Sequence, residues 1–245
     1  MIKTFKAART AAAVTLGAFA TLAIAPAAAL AQDATEGVED VMEAEDEPLA
    51  PPKRYDPINY NMDEDRENIL VLDLSNGKRV YLRLMEQWAP NHVERIKTLT
   101  RQGFYDGIIF HRVIDGFMAQ SGDPTGTGQG GSTFPDLKAE FNPMPHIRGT
   151  LAMARAQAED SANSQFFIVF YPRFSLDKRY TNIGRVISGM DGVDAIERGE
   201  PPANPTRILQ ASLAADNKPV PAPAQEPAVT AIEDITADML SAPIE

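Results

Sequence analysis

The chain has 245 residues, 44% of them hydrophobic, and carries 34 acidic against 23 basic side chains for a net charge of −11; that length holds one sizeable domain or two small ones. The acidic balance argues against a nucleic-acid partner, whose phosphates need clustered Lys and Arg, and gives no basic patch for an anionic membrane surface. With no cysteine, a disulfide framework, a zinc–thiolate site and lipid attachment near the N-terminus are all excluded.

Residues 1–31 read as an export signal. Lys3, Lys6 and Arg9 form a positive start with no acidic residue, Ala11 to Ala25 is a short apolar run, and Ala29-Leu30-Ala31 is a small-x-small site with cleavage expected after Ala31. The run is shorter than the roughly twenty residues a spanning helix needs, so no membrane insertion is expected after cleavage; a retained anchor is the competing reading. Cleavage removes three positive charges and takes the net charge from −11 to −14. An exported, cysteine-free chain fits a bacterial periplasm, where a stray thiol would be oxidised. Secretion beyond the outer membrane is the other destination open to it. Residues 32–66 follow as a linker, with eight acidic and no basic residues between Asp33 and Glu47, closing on Pro48, Pro51 and Pro52. Self-repulsion and a lack of large apolar residues predict a disordered, extended spacer; an acidic docking tail is the alternative.

The folded part is expected over 67–214. Ile69 to Leu74 leads through Ser75-Asn76-Gly77-Lys78 into Val80 to Leu84, and an Asn-Gly pair between apolar runs predicts a hairpin with a type I′ turn. Pro90 opens a helix marked by Val93, Ile96 and Leu99 and stopped near Gly103. Short strands are expected over Ile108–Ile114, Phe117–Gln120, Thr150–Ala154, Gln165–Phe170, Asn182–Ile187 and Arg207–Leu213, with a second helix over Asp191–Arg198. Many strands with two helices predict a mainly β fold, a closed antiparallel eight-stranded barrel capped by the helices, since closure removes exposed edges. Residues 215–245 turn Pro/Ala-rich and then acidic, which reads as a flexible tail. Val229, Ile232, Ile235 and Leu240 leave a short docking helix as the minority reading.

Two segments carry the chemistry. FHRVIDGFMAQSGD, Phe110 to Asp123, sets Arg112 among Phe117, Met118 and Gln120; SQFFIVF, Ser164 to Phe170, adds a second apolar strand bearing Gln165. With LAMARAQ (Leu151 to Gln157) and LDKRYTNIGRV (Leu176 to Val186), this pattern resembles the cyclophilins, exported and bacterial in type, over roughly Glu67 to Ala214. The resemblance implies a peptidyl-prolyl cis-trans isomerase without cofactor, acting on unfolded or proline-containing polypeptides. It implies a proline socket of Phe117, Met118, Phe167 and Leu176, with Arg112 as the catalytic cation and Gln120 holding Arg112 and touching the substrate carbonyl. Ala154 and Arg155 would offer backbone hydrogen bonds to the bound peptide, with Gln165 beside them. Where many relatives have Asn this chain has Arg155, expected to alter specificity more than rate. Ser175 stands where several eukaryotic relatives place a Trp that contacts cyclosporin, which implies weak cyclosporin binding. Tyr180 stands at a position that is often His, and its hydroxyl can still donate.

The chemistry asks for these residue types. Rotating an X-Pro bond breaks nothing covalent but faces a barrier of about 18–20 kcal/mol, so a catalyst needs only to bind the twisted amide better than either planar form. An apolar socket grips the ring. A permanently charged donor serves the imide nitrogen, which gains a lone pair as resonance is lost.

Other residues read as structure. Phe110 and Phe166 are expected in the core, and His111, next to Arg112 on a strand, should face the other way. His92, His111 and His146 lack ligand spacing, so no metal is expected. The GTGQGG run has neither the strand–helix setting nor the lysine of a phosphate cradle and reads as a surface loop beside the groove. Trp88 reads as a core or staple residue. The protein is expected to be a monomer. Two rivals remain: a catalytically idle proline-peptide binding module or chaperone, and an envelope scaffold whose linker and tail do the work.

Overall fold

The computed structural model describes residues 53–222; the expected signal, most of the acidic linker and the end of the tail lie outside the described residues. The elements run β1 (Ile69–Leu74), β2 (Arg79–Leu84), α1 (Pro90–Arg101), β3 (Arg112–Ile114), β4 (Met118–Ser121), β5 (Thr150–Met153), β6 (Phe166–Val169), β7 (Asn182–Ser188), α2 (Met190–Asp194) and β8 (Ile208–Leu213). The eight strands form one sheet in the order β3-β4-β6-β5-β7-β2-β1-β8, with every neighbouring pair antiparallel.

The sheet is a curled half-barrel and it is open, which corrects the closed barrel expected from the strand count. Its end strands, β3 and β8, do not pair as strands. An isolated bridge between Ile109 and Arg207 crosses the gap, supported by Phe110 N–H donating to Thr206 C=O at 2.9 Å. Continuing that register would set His111 opposite Pro205, which has no N–H to give a ladder. The chain diverges there, β3 shrinks to three residues, and its outer edge is met instead by Gly199, which bridges Val113.

Two further expectations change. Only Gly77 of the Asn-Gly pair takes positive φ, at +79°. Its N–H closes a turn on Leu74 C=O at 3.0 Å and Leu74 N–H bonds Lys78 C=O, so the hairpin has a longer loop with a glycine bulge instead of a two-residue turn. The second helix stops at Asp194 instead of Arg198, because the chain must turn out to reach the edge of β3.

Inside the curl, Leu70, Leu72, Leu74, Val80, Leu82 and Leu84 of the first hairpin meet Phe110, Phe166, Phe170 and the inner face of α1 (Val93, Ile96, Leu99). Phe110 and Phe166 are fully buried as expected, and Trp88 is buried too. The start of α1 is capped from a distant loop. The Glu140 carboxylate accepts from the N–H groups of Asn91 and His92 at 3.1 and 3.0 Å, where a negative group also complements the helix dipole. On the far side of the sheet Arg83 is 2% exposed and donates to the carbonyls of Asn59, Asn61, Glu64 and Asp65 at 2.6 to 3.0 Å. The segment entering β1 is thereby tied to the domain.

Candidate active site

The alternation of β3, β4, β6 and β5 builds the site. Across β3 and β4 the register pairs Arg112 with Gln120 and Ile114 with Met118; across β4 and β6 it pairs Met118 with Val169 and Gln120 with Phe167; across β6 and β5 it pairs Phe167 with Ala152. Side chains two apart share a face. Val113, Ala119, Phe166, Ile168, Leu151 and Met153 therefore point into the core, while Met118, Ala152, Phe167 and Val169 form a separate apolar cluster on the outer face, joined by Ile114, Phe117, Ala154, Leu176 and Tyr180. Adjacent Phe166 and Phe167 thus do opposite jobs.

A pocket of about 250 Å³ opens on that cluster, lined by Arg112, Phe117, Met118, Gln120, Ala154, Arg155, Phe167, Leu176 and Tyr180. Of the catalytic and substrate-binding residues expected from the sequence, all line it except Gln165, which lines the neighbouring polar pocket. Phe167 forms the floor: Tyr180 meets it edge-on with ring centroids 5.7 Å apart, and His146 stacks on it at 6.4 Å. His146 is in turn oriented by Asp177, which accepts at 2.8 Å from the ring and 2.7 Å from its backbone N–H. Burial lowers the His146 pKa against the opposing pull of Asp177. At the rim the guanidinium of Arg155 lies 4.9 Å over the Tyr180 ring and donates to Arg179 C=O, so this side chain holds the wall of the pocket. The Ala154 N–H is engaged by Gln165 C=O at 2.9 Å, which leaves a peptide the Ala154 carbonyl and the backbone of Arg155.

The polar pairing differs from expectation. Gln120 Nε2 donates to Gln165 Oε1 at 2.8 Å, and among the described residues no hydrogen bond joins Gln120 to Arg112, although the two face each other across the hairpin. Gln165 Nε2 then donates to the carbonyls of Gly128 and Gly130 at 3.1 and 2.8 Å. The glycine loop is itself organised by Asp123, whose carboxylate accepts from the N–H groups of Thr125, Thr127, Gly128 and Gly130 and from the Thr125 hydroxyl. A hydrogen-bonded relay thus runs from the loop through Gln165 to the groove. Beside the apolar pocket, and sharing Gln120, Ala154 and Arg155 with it, lies a larger polar one of about 450 Å³ lined by that loop, Ser161 and Asn163. Arg112 takes its partner from elsewhere: its Nε donates to Glu200 Oε2 at 2.7 Å. His111 sits on the buried side as expected, 5% exposed. Asp177 and Glu200 went unread in the sequence, and His146 was weighed only as a metal ligand, since nothing near them in the chain marks a contact with Phe167 or Arg112.

A pocket of about 250 Å³ with apolar side chains on one part of its lining and the Arg112 guanidinium on another, on the outer face of an eight-stranded half-barrel, points to the class of protein. The family model of the cyclophilin type peptidyl-prolyl cis-trans isomerase/CLD matches residues 70–213. The chain belongs to this family of enzymes. A probable peptidyl-prolyl cis-trans isomerase of Brucella suis is 46% identical over 170 residues, covering 63% of this chain and 86% of the relative. Peptidyl-prolyl cis-trans isomerase B of Bacillus subtilis is 40% identical over 128 residues, covering 52% and 89%. Among solved structures, a cyclophilin from Hirschia baltica aligns with a TM-score of 0.58 at 28% identity over 63% of this chain and 77% of that one. A cyclophilin type isomerase of Cryptosporidium parvum, crystallised in the presence of the dipeptide Ala-Pro, aligns with a TM-score of 0.55 at 27% identity over 59% and 98%.

Proposed function

We propose that this protein rotates X-Pro bonds of exported, unfolded polypeptides by gripping the proline ring on Phe167 while Arg112 donates to the imide nitrogen of the twisted amide. The observation that carries the reading is the convergence of Arg112 with Phe117, Met118, Phe167, Leu176 and Tyr180 around one pocket. The Ala-Pro dipeptide used with the Cryptosporidium relative supports a proline-containing peptide as the occupant. A charge-assisted hydrogen bond contributes roughly 1.5–3 kcal/mol, or about ten- to hundred-fold in rate at about 1.4 kcal/mol per decade. Arg112 is therefore one contributor, and the remainder falls to the socket and to the backbone of Ala154 and Arg155. No residue has to move a proton, and no cofactor enters the scheme.

The basic, then apolar N-terminal segment ending at Ala31 supports export to a periplasm, where the protein would act as a monomer on newly translocated chains. Ser175, in place of a large aromatic ring, supports weak cyclosporin binding. The test is an NMR-exchange or protease-coupled assay on an Ala-Pro tetrapeptide with the wild type and Arg112→Ala. Acceleration by the wild type and a drop of about ten-fold or more in the variant are expected; a well-folded wild type without activity would leave the idle peptide-binding module as the better account. Fractionation of cells expressing the full chain, with N-terminal sequencing of the product, is expected to recover Gln32 as the first residue in the periplasmic fraction. A product starting at Met1 would refute cleavage.

A further inference from the structure

The partner of Arg112 comes from a part of the chain 88 residues away. Gly199 pairs with Val113 on the outer edge of β3, each N–H donating to the other's C=O at 2.8 and 2.9 Å. In an antiparallel register that bridge sets residue 200 directly opposite residue 112, with side chains on the same face. The geometry is specific to a glycine: Gly199 has φ +146°, and a Cβ there would lie 2.5 Å from Pro202 Cα.

The approach to Gly199 is anchored as well. Arg198 lies 4.2 Å over the Phe170 ring, donates to Asp194 C=O at 2.9 Å and to the Ile196 carbonyl, and pairs with Asp115 on the β3–β4 turn at 3.3 Å. Glu200 is thus presented to Arg112 by a fastened segment. A guanidinium has five N–H donors in one plane. The carboxylate engages the one on Nε, which fixes the plane and leaves the four Nη donors without a partner among the described residues.

We infer that Glu200 is the positioning residue for Arg112: from the loop that covers the edge of β3, its carboxylate holds the guanidinium at Nε so that the Nη donors are presented to the imide nitrogen. The inference rests on Arg112 being the donor, as proposed above. It accounts for the observed division of labour, in which the Gln120 amide NH2 donates to Gln165 and the carboxylate that Arg112 donates to is that of Glu200.

The experiment compares wild type, Glu200→Ala, Glu200→Gln, Arg112→Ala and the Glu200→Ala/Arg112→Ala double variant on one X-Pro tetrapeptide, resolving kcat from KM. Both side chains are roughly half exposed, and surface pairs contribute little to stability, so all variants should melt close to the wild type. Glu200→Ala is expected to lower kcat about ten-fold with little change in KM, since a misplaced group loses effectiveness steeply. Glu200→Gln, which keeps an oxygen opposite Nε, should recover most of that loss. In the Arg112→Ala background, Glu200→Ala should cost nothing more.

A readout independent of turnover is the Arg112 Nε–Hε signal in a 15N-edited NMR spectrum, expected to shift and exchange faster with water in Glu200→Ala but not in Glu200→Gln. Wild-type or raised kcat in Glu200→Ala overturns the inference, as does an equal loss in both backgrounds. If Arg112→Ala loses activity while Glu200→Ala does not, only this inference falls. Full activity in Arg112→Ala removes the donor role itself, and the inference with it.

Discussion

Replacing Asp123 by Asn tests how the glycine loop beside the groove is held. Its carboxylate gathers four backbone N–H groups and two hydroxyls, those of Thr125 and Thr127. Burial pushes the carboxyl up, but the hydrogen bonds from Thr125, Gly130 and Gly128 outweigh it and bring the pKa from 3.8 to about 2. At about 1.4 kcal/mol per unit, the charged form is favoured in the fold by about 2 kcal/mol. Asn keeps one oxygen for Thr125 but sets an amide NH2 against the N–H groups of Thr127, Gly128 and Gly130. A loss of about 2 kcal/mol lowers the melting temperature by roughly 4–8 °C in a domain of this size.

The sign with pH follows. A depressed carboxylate stabilises above its unfolded pKa and loses that contribution as pH falls through the folded value. The wild type should thus approach the variant between pH about 4 and 2, where its own carboxyl becomes protonated. Function should follow through the relay, since Gly128 and Gly130 hold Gln165, and Gln165 holds Gln120; we expect kcat/KM to fall by up to about ten-fold. Thermal melts across pH 2–7 and the isomerase assay measure both. If the two proteins melt within about 1 °C at pH 7, or their gap stays constant below pH 4, the carboxylate is not what holds the loop.

Three further outcomes are expected. Arg83→Met, which keeps the apolar stem but leaves four backbone carbonyls without their donor, should cost at least about 2 kcal/mol in a urea titration; a cost under about 0.5 kcal/mol would mean that water replaces the guanidinium freely. All three histidines are held neutral by burial, their pKa values lowered below 6.5. Their contribution is therefore present above pH 6.5 and lost as acid charges them, so ring-proton NMR should find every midpoint below 6.5, and one above it would refute the assignment. Tyr180→Phe preserves the edge-on contact with Phe167 and the Arg155 stack, so kcat/KM should stay within about three-fold, while Tyr180→Ala should lose about ten-fold by uncovering the floor. A large loss in Tyr180→Phe would make the hydroxyl the operative group.

The strands were legible because their information is local. The outer and inner faces of β4 and β6 follow from alternation, which separates Phe167 from Phe166 and brings Arg112, Met118 and Phe167 to one surface. What was not legible depends on partner choice between distant segments. Gln120 can accept from Arg112 through its Oε1 or donate to Gln165 through its NH2, and the sequence does not say which of these contacts forms. Arg83, in the return strand of the first hairpin, gives no sign in the sequence that carbonyls from residues 59–65 will close over it. Glu200 sits in a proline-rich stretch that resembles an ordinary surface connection.

That stretch also explains why the sheet stays open and what the opening provides. A closed ladder would need donors from residues 201–205, and three of these five are proline. The ladder that begins at Ile109 and Arg207 consequently stops at Phe110, two residues before Arg112. Were β8 to continue alongside β3, position 112 would face Asn204, a neutral side chain. With the ladder interrupted, the loop doubles back and Gly199 takes the edge, which puts a carboxylate opposite the guanidinium instead. Edge strands invite unwanted pairing, and here the exposed edge is covered by a short segment that also delivers a charge. The prolines that break the barrel and the glycine that re-covers its edge therefore act together. Restoring a ladder donor with Pro205→Thr, or adding a Cβ with Gly199→Ala, should each disturb the Arg112 Nε–Hε signal, although neither residue touches Arg112.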